Sequence, residues 1–94
     1  MKKILIVEDD LDIQEMIQFF LEDQNYQVCV AEDGVEGVAV FNKEHPDMVL
    51  LDIMLPKMDG YAVCEIIRQN SNVPIIMILS LIHISEPTRP RLIS

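Results

Sequence analysis

Basic residues, cysteines and long apolar runs are all scarce in this chain of 94 residues. Seven lysines and arginines stand against sixteen aspartates and glutamates, a formal net charge of −9, so binding to nucleic acid or anionic lipid is not expected. The two cysteines lie in apolar runs without CxxC spacing, which indicates neither a disulfide framework nor a zinc site. No apolar run approaches a membrane span, and the one after Lys3 is too short for a signal peptide. We therefore expect a cytoplasmic protein.

Glycine and proline are also few, at three and five residues, while half of the chain is apolar and 24% is charged. This composition is typical of a globular protein and not of a disordered one. The length allows one small domain at most.

Short apolar runs alternate with helical patterns along the chain. The runs predict strands at 4–7, 27–31, 48–51 and 74–78, and the apolar spacing predicts helices within 13–21, 35–41 and 60–68. In the first helix, Ile13, Met16, Ile17, Phe20 and Leu21 form the apolar stripe. Asp12 and Glu15 resemble an acidic capping box at its start. Asp59 is predicted to cap the third helix.

The order βαβαβαβ favours an α/β fold with a doubly wound parallel sheet, right-handed crossovers and helices on both faces. In the flavodoxin-like strand order 2-1-3-4-5, ligands bind beyond the carboxyl ends of strands 1 and 3. Glu8 and Asp9 follow the first predicted strand and Asp52 follows the third. We therefore expect these three acids to converge at one edge of the sheet.

Converging carboxylates repel one another unless a cation lies among them. Oxygen ligands without histidine or cysteine suit a hard ion such as Mg²⁺. The acidic run at 8–10 could alternatively do no more than solvate the end of a strand and cap the next helix. Asp52, which ends a second apolar run at the same predicted edge, favours the metal site over that simpler explanation.

Five segments of the chain resemble the receiver domains of bacterial response regulators, the CheY-like superfamily of two-component signalling. The segments read KILIVEDD at 3–10, AEDG at 31–34, PDMVLLDIMLP at 46–56, MDG at 58–60 and PIIM at 74–77. The resemblance covers residues 2–78 in order.

The resemblance implies that Asp52 accepts a phosphoryl group from a sensor histidine kinase. It further implies a Mg²⁺ ion bound by Asp9, by Asp52 and by the backbone carbonyl of Met54, with Glu8 holding it through water. Asp10 is assigned to the loop that enters the first helix. Proteins of this family catalyse only their own phosphorylation and dephosphorylation, so a metabolic enzyme is not expected. Many carry a C-terminal output domain, often one that binds DNA.

The match to the family's pattern ends after residue 78. The family places a serine or threonine at the end of its fourth strand, where this chain has Leu79, and it places a lysine after a fifth strand, whereas no lysine follows Lys57. Helix 4, strand 5 and helix 5 have no counterpart in the sequence. Residues 79–94 resemble the translation of a sequencing-library adapter, so we expect 1–78 to be the N-terminal part of a receiver and 79–94 a non-native tail. A naturally truncated receiver is the alternative.

Two other functions use a comparable sheet. A phosphatase with an aspartyl nucleophile requires a second acid two residues after that nucleophile, where this chain has Met54. A flavin-binding module would offer hydroxyls and amides to a phosphate after the first strand, whereas the acids at 8–10 repel one. Both alternatives therefore fit the sequence less well than a phosphoryl switch.

Overall fold

The computed structural model describes residues 2–53, 55 and 59–78. They form four strands and three helices in alternation: β1 (Lys3–Val7), α1 (Leu11–Asp23), β2 (Gln27–Ala31), α2 (Gly34–Glu44), β3 (Met48–Asp52), α3 (Gly60–Arg68) and β4 (Ile75–Ile78). The strands are parallel and lie in the order β2-β1-β3-β4. The predicted α/β sheet is thereby confirmed, without its fifth strand in the described residues.

The two central strands, β1 and β3, carry apolar residues on both faces, and helices α1 and α2 both contact β1. In β1, Leu5, Ile6 and Val7 have no exposed surface. The register places Val7 opposite Ala31 of β2 and opposite Leu51 of β3. Strands β1 and β3 therefore end level with each other, and the acids that end them emerge side by side.

The N-cap of helix α1 lies two residues before the predicted one. Asp10 is the N-cap, and its Oδ1 accepts hydrogen bonds from the backbone N–H groups of Asp12 at 3.0 Å and Ile13 at 3.1 Å. The capping role predicted for Asp12 was wrong, because the chain turns into the helix directly after β1 and places Asp12 inside the first turn. The predicted cap of α3 is confirmed: Asp59 Oδ1 accepts from the N–H of Ala62 at 2.9 Å.

A cluster of apolar residues fills the space between the sheet and helices α2 and α3. It consists of Leu5, Val7, Ala31, Phe41, Val49, Leu51, Val63 and Ile67. Both cysteines, Cys29 and Cys64, are half-buried and pack against it, in agreement with their apolar surroundings in the sequence.

The opposite face of the sheet carries α1 and is more open. Met16 and Phe20, two members of the predicted apolar stripe, are 54% and 62% exposed, and Ile76 of β4 is 48% exposed. Within the described residues, α1 contacts β1 and β2, and these apolar side chains of α1 and β4 lie exposed on that face of the sheet. No helix in the described part of the chain is long and apolar enough to span a membrane.

Replacing Leu5 with alanine is expected to lower the free energy of unfolding by about 3–4 kcal/mol, because a fully buried side chain leaves a cavity. Leu11→Ala is the matched control, because Leu11 is 56% exposed and its truncation is expected to cost less than about 1 kcal/mol. Denaturant unfolding of both variants measures the two losses. Equal losses would contradict the placement of Leu5 in the core.

Candidate metal and phosphoryl site

The carboxyl ends of β1 and β3 bring three acidic side chains together. Glu8 and Asp9 directly follow β1, and Asp52 is the last residue of the neighbouring strand β3. One carboxylate oxygen from each residue lies within 4.8 Å of the other two. Oxygens at such separations can coordinate a single cation jointly.

The three acids differ in their access to solvent. Glu8 and Asp52 have no exposed surface, whereas Asp9 is exposed. Two of the three carboxylates thus lie buried at the end of the sheet, and Asp9 is the member of the cluster that solvent reaches.

The two carboxylate oxygens of Glu8 have different surroundings. Oε2 accepts a hydrogen bond from the backbone N–H of Asp10 at 3.0 Å, whereas Oε1 is buried with no hydrogen-bond partner among the residues that the structure describes. A buried oxygen without a partner is costly in a folded protein. Its position beside two other carboxylates marks the place where a cation or its bound water would supply the missing contact.

Burial raises the pKa of Glu8 from 4.5 to about 7. The N–H of Asp10 opposes that rise, while the nearby carboxylates of Asp52 and Asp9 add to it. Near neutral pH, Glu8 therefore holds a proton for part of the time, and a bound cation would displace it.

The donor set fits a hard divalent cation. All three side chains offer carboxylate oxygen, the ligand that Mg²⁺ prefers, and no histidine or cysteine belongs to the cluster. A divalent ion would also offset the mutual repulsion of the carboxylates.

Gly60 lets the first turn of α3 pack against the end of β3. A Cβ atom at Gly60 would lie 2.6 Å from the carbonyl oxygen of Asp52 and 2.9 Å from the Cα of Ile53. The Gly60 N–H donates to the carbonyl of Ile53 at 3.1 Å. This contact holds the backbone that carries Asp52 against the first turn of α3.

Comparison with known proteins identifies the family. The family model for the response regulator receiver domain matches residues 4–93. The chain belongs to this family.

Relatives of this receiver include transcriptional regulators. The chain is 45% identical over 80 residues to the probable transcriptional regulator ycf27 of Cyanophora paradoxa, a match that covers 85% of this chain and 34% of that protein. It is 53% identical over 78 residues to the transcriptional regulatory protein YxdJ of Bacillus subtilis (strain 168), with 83% and 34% covered. The receiver thus spans about a third of the length of these curated relatives.

Solved receivers have the same fold. The receiver domain of the Francisella response regulator 1452 superposes with a TM-score of 0.81 at 33% identity, over 86% of this chain and 68% of that one. The BeF3-activated N-terminal receiver domain of Klebsiella pneumoniae RstA gives 0.80 at 39% identity, over 84% and 68%. Both superpose on more than four fifths of this chain.

Several residues predicted from the sequence lie outside the described part of the receiver. They are Met54, assigned a backbone ligand, and the segment 79–94, including Leu79.

Gln14 contacts the site but was not predicted from the sequence to do so. Its signal was weak: it lies three and seven residues before Ile17 and Leu21, on the inward side of α1, where a polar residue needs a buried partner.

The metal-free receiver is expected to lose stability as the pH rises from about 4.5 through about 7. The raised pKa of Glu8 means that the folded state binds a proton more tightly than the unfolded state does, so this contribution is complete below 4.5 and lost above about 7. Glu44, which pairs with Lys3 at 2.9 Å and has a lowered pKa, acts in the opposite direction at acid pH.

Unfolding free energies are therefore compared between the receiver and Glu8→Gln at each pH, because Glu44 contributes equally to both. The difference between the two free energies therefore gives the contribution of Glu8 ionisation to stability. A difference that stays constant between about pH 4.5 and 8 would contradict the raised pKa.

Proposed function

We propose that this receiver is a cytoplasmic phosphoryl switch whose Asp52 accepts a phosphoryl group from a sensor histidine kinase. The observation that supports the proposal is the cluster of Glu8, Asp9 and Asp52, whose carboxylate oxygens lie within 4.8 Å of one another at the edge of the sheet. Asp52 is held at the base of this cluster with no exposed surface. A solubilising acid would instead lie on the surface.

In the proposed reaction, a carboxylate oxygen of Asp52 attacks the phosphorus of the phosphohistidine. The O–P bond forms, the P–N bond breaks, and the imidazole leaves with the electron pair of that bond and takes up a proton. Asp9 and Asp52 would hold Mg²⁺ directly together with the backbone carbonyl of Met54, and Glu8 would hold it through water. Bound Mg²⁺ neutralises negative charge on the phosphoryl oxygens. The receiver acts on its own aspartate and is not an enzyme with a separate substrate.

The names and lengths of the relatives support an output domain in the parent protein. Two of them are named as transcriptional regulators, and the receiver spans about a third of their length. We infer that the parent protein carries a C-terminal output domain, of a DNA-binding kind, and that phosphorylation of Asp52 controls it. The net charge of −9 gives the receiver no attraction of its own to DNA.

We further propose that the chain of 94 residues transfers the phosphoryl group poorly by itself. Leu79 stands where the family has a hydroxyl, and no lysine follows Lys57 to pair with the phosphoryl oxygens. We take 79–94 as a non-native tail. Sequencing of the source locus tests this: a frame that continues past Ile78 into a serine or threonine and a later lysine supports the proposal, and a genomic copy of this tail refutes it.

The function is tested by labelling with a small phosphodonor, such as acetyl phosphate, and detecting the added phosphoryl group by intact mass. The receiver encoded at the source locus is expected to be labelled only with Mg²⁺ present, and the chain of 94 residues much more slowly. Asp52→Asn abolishes labelling, because an amide is not a nucleophile for phosphorus. Asp59→Asn is the control, since Asp59 caps α3 outside the cluster. Labelling that survives in Asp52→Asn would refute the assignment.

A further inference from the structure

Gln14 places a buried amide beside the acidic cluster. It lies in the second turn of α1 and is 8% exposed. Its Nε2 donates to the backbone carbonyl of Glu8 at 3.0 Å and to that of Ala31 at 3.3 Å. One side chain on α1 thus contacts the ends of both β1 and β2.

These two contacts belong to a larger network. The carbonyl of Ala31 also accepts from the backbone N–H of Glu8 at 3.0 Å, and the N–H of Gln14 donates to the carbonyl of Asp10 at 2.9 Å. The turn from β1 into α1, which carries Glu8 and Asp9, is therefore held by hydrogen bonds on either side. Only the amide of Gln14 joins the helix to the carbonyl of Glu8 among the described residues.

We propose that Gln14 is a positioning residue for the cation site: it fixes the peptide plane after Glu8 and thereby the direction of the carboxylates of Glu8 and Asp9. The proposal rests on the proposed function for the identity of the cation, Mg²⁺. Without the amide, the carbonyl of Glu8 would lose a buried donor, and the turn could rotate to recover one from water. The carboxylates would then no longer converge in the same geometry.

The test removes the Nε2 amide group of Gln14, which makes both hydrogen bonds, and keeps a side chain of similar size. Gln14→Met is compared with Gln18→Met, the same substitution one turn later on α1. Among the described residues, the Gln18 amide donates to the exposed carboxylate of Glu22 at 3.3 Å. Two quantities are measured by NMR. The first is the dissociation constant for Mg²⁺. The second is the hydrogen-exchange rate, in the metal-free protein, of the Glu8 amide, which donates to the same Ala31 carbonyl that Gln14 contacts.

Gln14→Met is expected to weaken Mg²⁺ binding about tenfold, as the loss of supporting hydrogen bonds around metal ligands does elsewhere, and to speed exchange of the Glu8 amide by a similar factor. Gln18→Met should change neither. If Gln14 only stabilised the fold, its replacement would lower the denaturation midpoint and leave the affinity of the folded protein for Mg²⁺ unchanged. Affinity and exchange within about twofold of the parent would overturn the proposal.

A second variant guards against loss of folding. Gln14→Asn keeps an amide that is one methylene shorter, so it cannot reach both carbonyls, and the same direction of change is expected. The two proposals can fail separately. If the receiver without substitutions binds no Mg²⁺, the proposed function is refuted. The exchange rate of the Glu8 amide then still decides whether Gln14 positions the turn.

Discussion

Replacing Glu8 with glutamine is expected to stabilise the metal-free receiver by roughly 1–3 kcal/mol at about pH 8, while it weakens the response to Mg²⁺. Burial and two neighbouring carboxylates raise the pKa of Glu8 to about 7, so keeping it ionised above that pH costs folding free energy. Glutamine has a similar shape without the charge, and its amide can donate to the carboxylate of Asp52. The same charge that destabilises the metal-free protein is the one that a bound cation would require.

Unfolding by denaturant, with and without Mg²⁺, measures both halves of this expectation. Glu15→Gln is the control, because Glu15 is exposed on α1 and the same substitution there should leave both quantities nearly unchanged. A Glu8→Gln variant that is less stable than its parent without metal would show that Glu8 serves mainly the fold.

Gly60→Ala is expected to lower the free energy of unfolding by about 2–4 kcal/mol. The added Cβ would meet the carbonyl oxygen of Asp52 at 2.6 Å and the Cα of Ile53 at 2.9 Å. Both are backbone atoms, so relief of the clash has to move either the first turn of α3 or the end of β3. Asp52 would move with the latter, and Mg²⁺ binding should weaken as well.

Gly37→Ala provides the matched control for this substitution. Its Cβ would lie 3.0 and 3.1 Å from the two methyl groups of Val7, which are side-chain atoms and need to yield by only a few tenths of an ångström. Alanine is also favoured over glycine in a helix by about 1 kcal/mol, so the net change should be within about 1 kcal/mol. Equal losses in the two alanine variants would show that the contact between Gly60 and Asp52 is not tight.

The sheet was predictable from the sequence because its strands are short apolar runs, and the acids that follow or end β1 and β3 mark where these two strands finish. A run such as 4–7 that alternates with helical segments favours a strand buried on both faces of a parallel sheet, and the pairing of β1 with β3 then puts Glu8 beside Asp52. The fold and the composition of the acidic cluster thus follow from local sequence patterns together with the rule that the carboxyl ends of parallel strands meet at one edge of the sheet.

Other features depend on contacts that no local pattern specifies. The start of α1 at Leu11 depends on how closely the chain turns after β1, and the two acids Asp10 and Asp12 are chemically equivalent as caps. Gln14 resembles any helical glutamine until β2 is placed beside it. Met16 and Phe20 share the period of buried residues, but their exposure depends on what covers that face of the sheet.

The most direct test of the central claim is a Mg²⁺ titration of the metal-free receiver followed by NMR, residue by residue. The cluster of Glu8, Asp9 and Asp52 predicts one saturable site, with the largest shifts at the amides of these three residues, and it predicts that Asp9→Asn removes the saturation. Shifts that rise without saturation, or that centre on the exposed acids of α1, would contradict it.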